Sequence, residues 1–170
     1  MALSSVGVAS AAQRGSSALR ADVAGAAEQQ PAASVRSSCF FGKTRFLLHA
    51  GLAFGAFHRY LYKPFKAGTF SSGANGRTTA IVKAAIASLF VYHELKRAYD
   101  FAKCDSTLSK LVSPITALTG AVSNLTSNLK AGKFDGGSLS GVSNQLNALG
   151  TQSGGLGATI KDIAAPVPGA

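Results

Sequence analysis

The chain has 170 residues, 46% of them hydrophobic, with 19 Gly, no Trp, two Cys and a formal net charge of +10. This length argues for one domain, and no apolar run approaches the roughly 20 residues that a membrane-spanning helix needs. The two cysteines form no Cys-x-x-Cys spacing, so a thiol redox motif or a zinc knuckle has no support.

The charge is unevenly spread. Residues 36–103 hold eleven Lys and Arg against Glu94 and Asp100, a net of +9, whereas residues 104–170 hold four Lys against Asp105, Asp135 and Asp162. A cationic segment attracts polyanions such as nucleic acid, anionic lipid or anionic cell-wall polymer. The plainer reading of the same charge is a solvated surface that keeps the chain soluble.

Residues 1–38 are rich in Ala and Ser and poor in large apolar side chains, so they cannot bury enough surface to offset their ordering entropy. Ala9-Ser10-Ala11 matches the small-x-small cleavage pattern of a secretory signal. No Lys or Arg precedes Arg14, so the basic start of such a signal is missing. The export reading therefore takes Met1 as an internal start, with the true signal upstream. Arg14, Arg20 and Arg36 among Ser and Ala form the competing pattern of an organellar transit peptide, which Asp22 and Glu28 fit poorly. A disordered tail is the third reading.

Residues 40–63 predict a helix. Phe46, Ala50, Ala53, Phe54, Phe57, Tyr60 and Leu61 recur at three- and four-residue steps and so share a face. Pro64 is expected to end it, because proline pushes the preceding residue out of helical geometry. Gly51 and Gly55, four residues apart, leave a smooth strip for close packing against a neighbouring helix. Residues 64–76 read as a loop. A second helix is predicted from about Arg77 to about Lys103, apolar nearly all round in its first half and amphipathic in its second, where Lys96 and Asp100 are spaced to pair.

The two helices give the cysteines a role. Cys39 precedes the first helix and Cys104 follows the second, so an antiparallel hairpin brings them to one end. A bridge there closes a loop of about 65 residues, stabilises by ~3–4 kcal/mol on the chain-entropy model, and requires an oxidising compartment. Two free thiols in a cytosolic protein are the alternative.

Beyond residue 106 the pattern changes. Leu108, Leu111, Ile115, Leu118, Val122, Leu125 and Leu129 follow alternating steps of three and four, a heptad seam that could join copies of the chain into an oligomer. Pro114 sits inside it, and Ser113 is expected to cap a helix starting there. After a break at 132–137, Leu139, Val142, Leu146 and Leu149 predict a shorter helix. Residues 151–170, rich in Gly and then in Ala and Pro, read as a flexible tail.

No catalytic constellation is readable. His49, His58 and His93 lack metal-ligand spacing, acids are scarce around them, and Glu94 and Asp100 read as surface partners for Lys or Arg. No phosphate loop, nucleophile elbow or dinucleotide fingerprint occurs, and no cofactor is implied. The most suggestive feature is the interleaving of rings and cations over residues 40–66, with Lys43, Arg45, Arg59, Lys63 and Lys66 as candidate contacts to an anionic surface. Interfacial helices use such a mixture, and single-stranded nucleic-acid binders use rings for stacking. The plain alternative puts the rings in the core and lets the cations reach outward.

In its Ala-, Ser- and Gly-rich ends the chain resembles small exported proteins of actinobacteria, many without an assigned function. The likeness is compositional and transfers no residue. Together these readings predict an all-α domain at 39–150, a small bundle built on an antiparallel helical hairpin with disordered tails at both ends. The expected role is that of a non-enzymatic secreted or cell-envelope protein touching anionic lipid or cell-wall polymer. The alternative is a nucleic-acid-binding or organelle-targeted basic protein.

Overall fold

A computed structural model describes Cys39, residues 41–167 and Gly169. The signal-like segment 1–38 lies outside the described residues. Helix α1 (Gly42–Phe57) runs through a π turn (His58–Tyr62) into the short α2 (Lys63–Lys66). Then come α3 (Arg77–Ala102), a 3-10 turn (Leu108–Leu111), α4 (Val112–Lys130) and α5 (Gly136–Gly155). No strand occurs among the described residues, and the domain is an all-α helical bundle. None of its described helices is long and apolar enough to cross a membrane.

The α1–α3 hairpin is the most extensive contact in the fold. Ala50, Ala53 and Ala56 on α1 and Ala84, Ala87, Ala98 and Ala102 on α3 are all buried, and small side chains let two helices approach closely. Phe46, Phe57 and Leu61 complete the α1 contribution to the core. Cys39 and Cys104 are joined in a disulfide, with Cα atoms 5.2 Å apart, as the hairpin geometry predicts.

Pro64 does not end the first helix. The Lys63 N–H bonds the His58 carbonyl five residues back, the widened spacing of a π turn. An interior proline removes one backbone donor and crowds the carbonyl four residues before it, and the wider turn makes room for the ring. The chain leaves helical geometry after Lys66 instead. The loop that follows is pinned by aromatic packing: Phe70 is buried and stacks on Phe134 at 4.4 Å, while Phe65 meets the same ring at 5.7 Å. Phe134 lies in the link between α4 and α5, so this cluster ties both ends of the fold's loops together.

The heptad seam is consumed inside the fold. Leu108, Leu111, Ile115, Leu118, Val122, Leu125 and Leu129 are each at most 2% exposed and share one core with α1, α3 and α5. An oligomer through this seam is therefore corrected: the surface that a second copy would need is already covered. Ser113 is not a cap, because a 3-10 turn leads straight into α4 and Pro114 falls in its first turn, where no intrahelical donor is lost. Asp105 caps the entry instead, accepting from the N–H groups of Thr107 and Leu108 at 2.7 and 3.0 Å. Gly132, at φ 71, terminates α4, with Lys133 N–H returning to the Asn128 carbonyl. Asp135 then caps α5 through the N–H groups of Gly137 and Ser138.

The flexible tail expected over 151–170 is also corrected. Helix α5 continues to Gly155, and Gly157, at φ 70, turns the chain back. The Ala158 N–H and its carbonyl are both tied to Ser153, and Ala158, Ala165 and Val167 are buried. The returning segment lies on the Gly51/Gly55 strip of α1, where the Ile163 N–H donates to the Gly51 carbonyl at 2.9 Å. The strip was expected to receive a helix; it receives the non-helical backbone around Ile163.

Two outcomes follow. A methyl group at Gly55 would fall on the Ile163 carbonyl, whereas one at Gly120 on α4 meets nothing within 4 Å. Gly55→Ala should therefore cost about 2–3 kcal/mol and raise hydrogen exchange over residues 158–167, while Gly120→Ala should stabilise by about 0.5–1 kcal/mol. Denaturant titration of both variants, with exchange read by mass spectrometry, checks the pair. Separately, the oxidised protein should expose no alkylatable thiol until reduced, and reduction should lower stability by about 4 kcal/mol for a separation of 65 residues. An unchanged unfolding midpoint under reductant would count against the bridge as a stabilising link.

Candidate functional site

The bridge sets the register of the hairpin, and the register decides which side chains meet. His49 and Glu94 each lie ten residues inward from a cysteine, and they face each other across the helices with His49 Nδ1 2.6 Å from Glu94 Oε2. Glu94 is 8% exposed, so the expectation of a surface partner for Lys or Arg is corrected. A carboxylate carried into a helix interface needs a donor beside it, and His49 supplies one. The His49 ring also stacks on Phe101, over which Arg45 places its guanidinium at 5.6 Å.

Of the remaining histidines, His58 Nδ1 lies 2.6 Å from Asp162 Oδ2 on the returning C-terminal segment, in an exposed setting. His93 is exposed and packs edge-on to Tyr92. The described residues hold no group of three or more His, Cys, Asp or Glu that could bind a metal. Nor do they leave a buried side-chain polar atom without a partner.

The acids are used up in this way. Glu94 and Asp162 face histidines, and Asp105 and Asp135 cap helices, so four of the five described carboxylates are committed. The Ser138 hydroxyl, then the backbone N–H groups of Ser138 and Gly137, hold the Asp135 carboxyl below the usual carboxylate range. Among the described residues both ion pairs use histidine, and no Lys or Arg is paired with a carboxylate. The spaced Lys96 and Asp100 do not pair; Lys96 lies over Tyr92 instead, at 5.7 Å. Lys66 over Tyr62 and Lys103 over Tyr99 repeat the same four-residue arrangement.

The five cations read from the sequence are all exposed, but they do not form one site. Lys43 and Arg45 stand at the disulfide end of α1, and Arg59, Lys63 and Lys66 stand about twenty residues on, roughly 30 Å away at helical rise. Of the far group, Arg59 and Lys63 share a hollow, while Lys66 lines a separate one against α5. A cleft of about 400 Å³ is lined by Arg59, Lys63 and Lys83, with Tyr60, Pro64 and Ala80 among its apolar walls. Lys83 was not singled out from the sequence. The signal was there: residues 60 and 83 are each twenty-one positions inward from a cysteine, so the bridged hairpin sets them level.

The rings fare differently. Phe46, Phe54 and Phe57 are buried and build the core while the cations reach outward, whereas Phe41 is 66% exposed and Tyr60, Tyr62 and Phe65 are half-buried. Comparison with protein-family models, curated proteins and solved structures finds no match to this chain.

Burial separates the two histidine pairs. Glu94→Ala should destabilise by about 2–4 kcal/mol, because it strips the partner from a largely buried His49. Asp162→Ala, in the exposed pair, should stay within about 1 kcal/mol. Chemical denaturation of both variants at neutral pH checks this, and equal losses would contradict the assignment.

Proposed function

We propose that this is a non-enzymatic protein of the cell envelope or the secreted fraction, held to an anionic surface through the basic side of its helical hairpin. The observation that carries the reading is the unneutralised charge: four of the five described carboxylates are tied to histidines and helix caps, and the described Lys and Arg side chains, all exposed but Arg77, have no acidic partner. A fold that separates its charges in this way presents a positive potential to any polyanion nearby. Anionic lipid and anionic cell-wall polymer both fit that chemistry.

Two further features support it. The Cys39–Cys104 disulfide is compatible with an oxidising compartment outside the cytosol. Burial of Phe46, Phe54 and Phe57 also takes those three rings away from any stacking surface.

The test is sedimentation of the oxidised full chain with phosphatidylcholine vesicles, with and without phosphatidylglycerol, at about 0.05 and about 0.5 M salt. Binding should require the anionic lipid and should fall by at least about tenfold at the higher salt. Equal binding to neutral vesicles, or retention by duplex DNA alone, would overturn the reading.

A further inference from the structure

We infer that the cleft at the π turn is a discrete site for the phosphate of an anionic phospholipid headgroup at a bilayer surface. This rests on the anionic-surface reading above and narrows it from a charged face to one hollow.

Three cations from three consecutive elements line it. Arg59 belongs to the π turn, Lys63 opens α2, and Lys83 approaches from α3. Across the π turn, Arg59 and Lys63 both line the same cleft. Arg59 is further steadied over the Tyr60 ring at 5.6 Å. No acidic residue lines this cleft, and like charges gathered without a counter-ion repel. An oxyanion between them removes that repulsion and takes charge-assisted hydrogen bonds from all three.

The shape and the walls choose among anions. The larger neighbouring hollow, about 510 Å³, shares Arg59 and Lys63 but is also lined by Asp162 and His58, which bond each other there. The 400 Å³ cleft is lined instead by the apolar surfaces of Tyr60, Pro64, Ala67 and Ala80 beside its three cations. Such a lining suits the glycerol and first methylenes of a lipid better than a bare, hydrated ion. Val82, the residue before Lys83, is 53% exposed and offers an apolar side chain to the acyl boundary. Cations at headgroup level with apolar groups beneath them is the arrangement of interfacial binding.

The experiment compares two charge-matched variants of the full oxidised chain on phosphatidylglycerol-containing vesicles. Arg59→Gln/Lys63→Gln/Lys83→Gln removes the cleft cations; Lys96→Gln/Arg97→Gln/Lys103→Gln removes as much charge from the other end of α3. With about fivefold contributed by each basic residue at an anionic surface, the cleft variant should bind about a hundredfold more weakly, and the other variant less than about fivefold more weakly. Lys83→Gln alone should lose about fivefold, and Lys63→Arg should retain binding. Helical circular dichroism and the thermal midpoint should match the parent protein, since all these side chains are exposed. Equal losses in the two triple variants would overturn the discrete site and leave the charged-face reading standing. Failure of the parent protein to bind anionic vesicles would overturn both. Inorganic phosphate that competes at millimolar concentration as well as vesicles do would reassign the cleft to a free ion and overturn the lipid assignment.

Discussion

The rest of the structure depends on the register of α1 against α3. That register is fixed at one end by the Cys39–Cys104 bridge and along its length by facing alanines. A slip of one residue turns every α3 side chain by about 100° relative to its α1 partner. His49 would lose Glu94, and Lys83 would leave the cleft that it forms with Arg59 and Lys63. The disulfide thus acts on more than unfolding entropy. It aligns a buried histidine–carboxylate pair near one end of the hairpin and a cationic hollow near the other.

The acidic residues explain the electrostatics. A chain with so few carboxylates could pair them with its many cations and leave a mildly basic surface. This one places Asp105 and Asp135 at helix starts, where they answer orphan N–H groups, and Glu94 and Asp162 beside histidines. Lys66, Lys96 and Lys103 lie over tyrosine rings and Arg45 over Phe101. A ring face attracts a cation without cancelling its charge, so the positive potential survives.

The C-terminal segment shows how glycine spacing is read in context. Gly51 and Gly55 lower the intrinsic helix propensity of α1, which is a local cost. The strip that they open admits a backbone close enough for the Ile163 N–H to reach the Gly51 carbonyl. With Ala158, Ala165 and Val167 buried behind it, the segment belongs to the core it covers.

Much of this protein was determined by its sequence alone. Helical periodicity marks α1, α3, α4 and α5, because a 3.6-residue repeat of apolar groups has one stable solution in water. The cysteine positions at opposite flanks of a hairpin sufficed for the disulfide, and through it for the pairing of levels along α1 and α3. The tertiary structure alone decided how the heptad seam is used, since a row of leucines is the same whether it meets another copy or its own chain. It alone decided the fate of residues 158–167, because a segment held by backbone contacts to two glycines carries no side-chain periodicity to read. And it alone decided which cations act together: five were visible along one segment, but only three-dimensional proximity separates Lys43 and Arg45 from Arg59 and Lys63 and adds Lys83 from another helix.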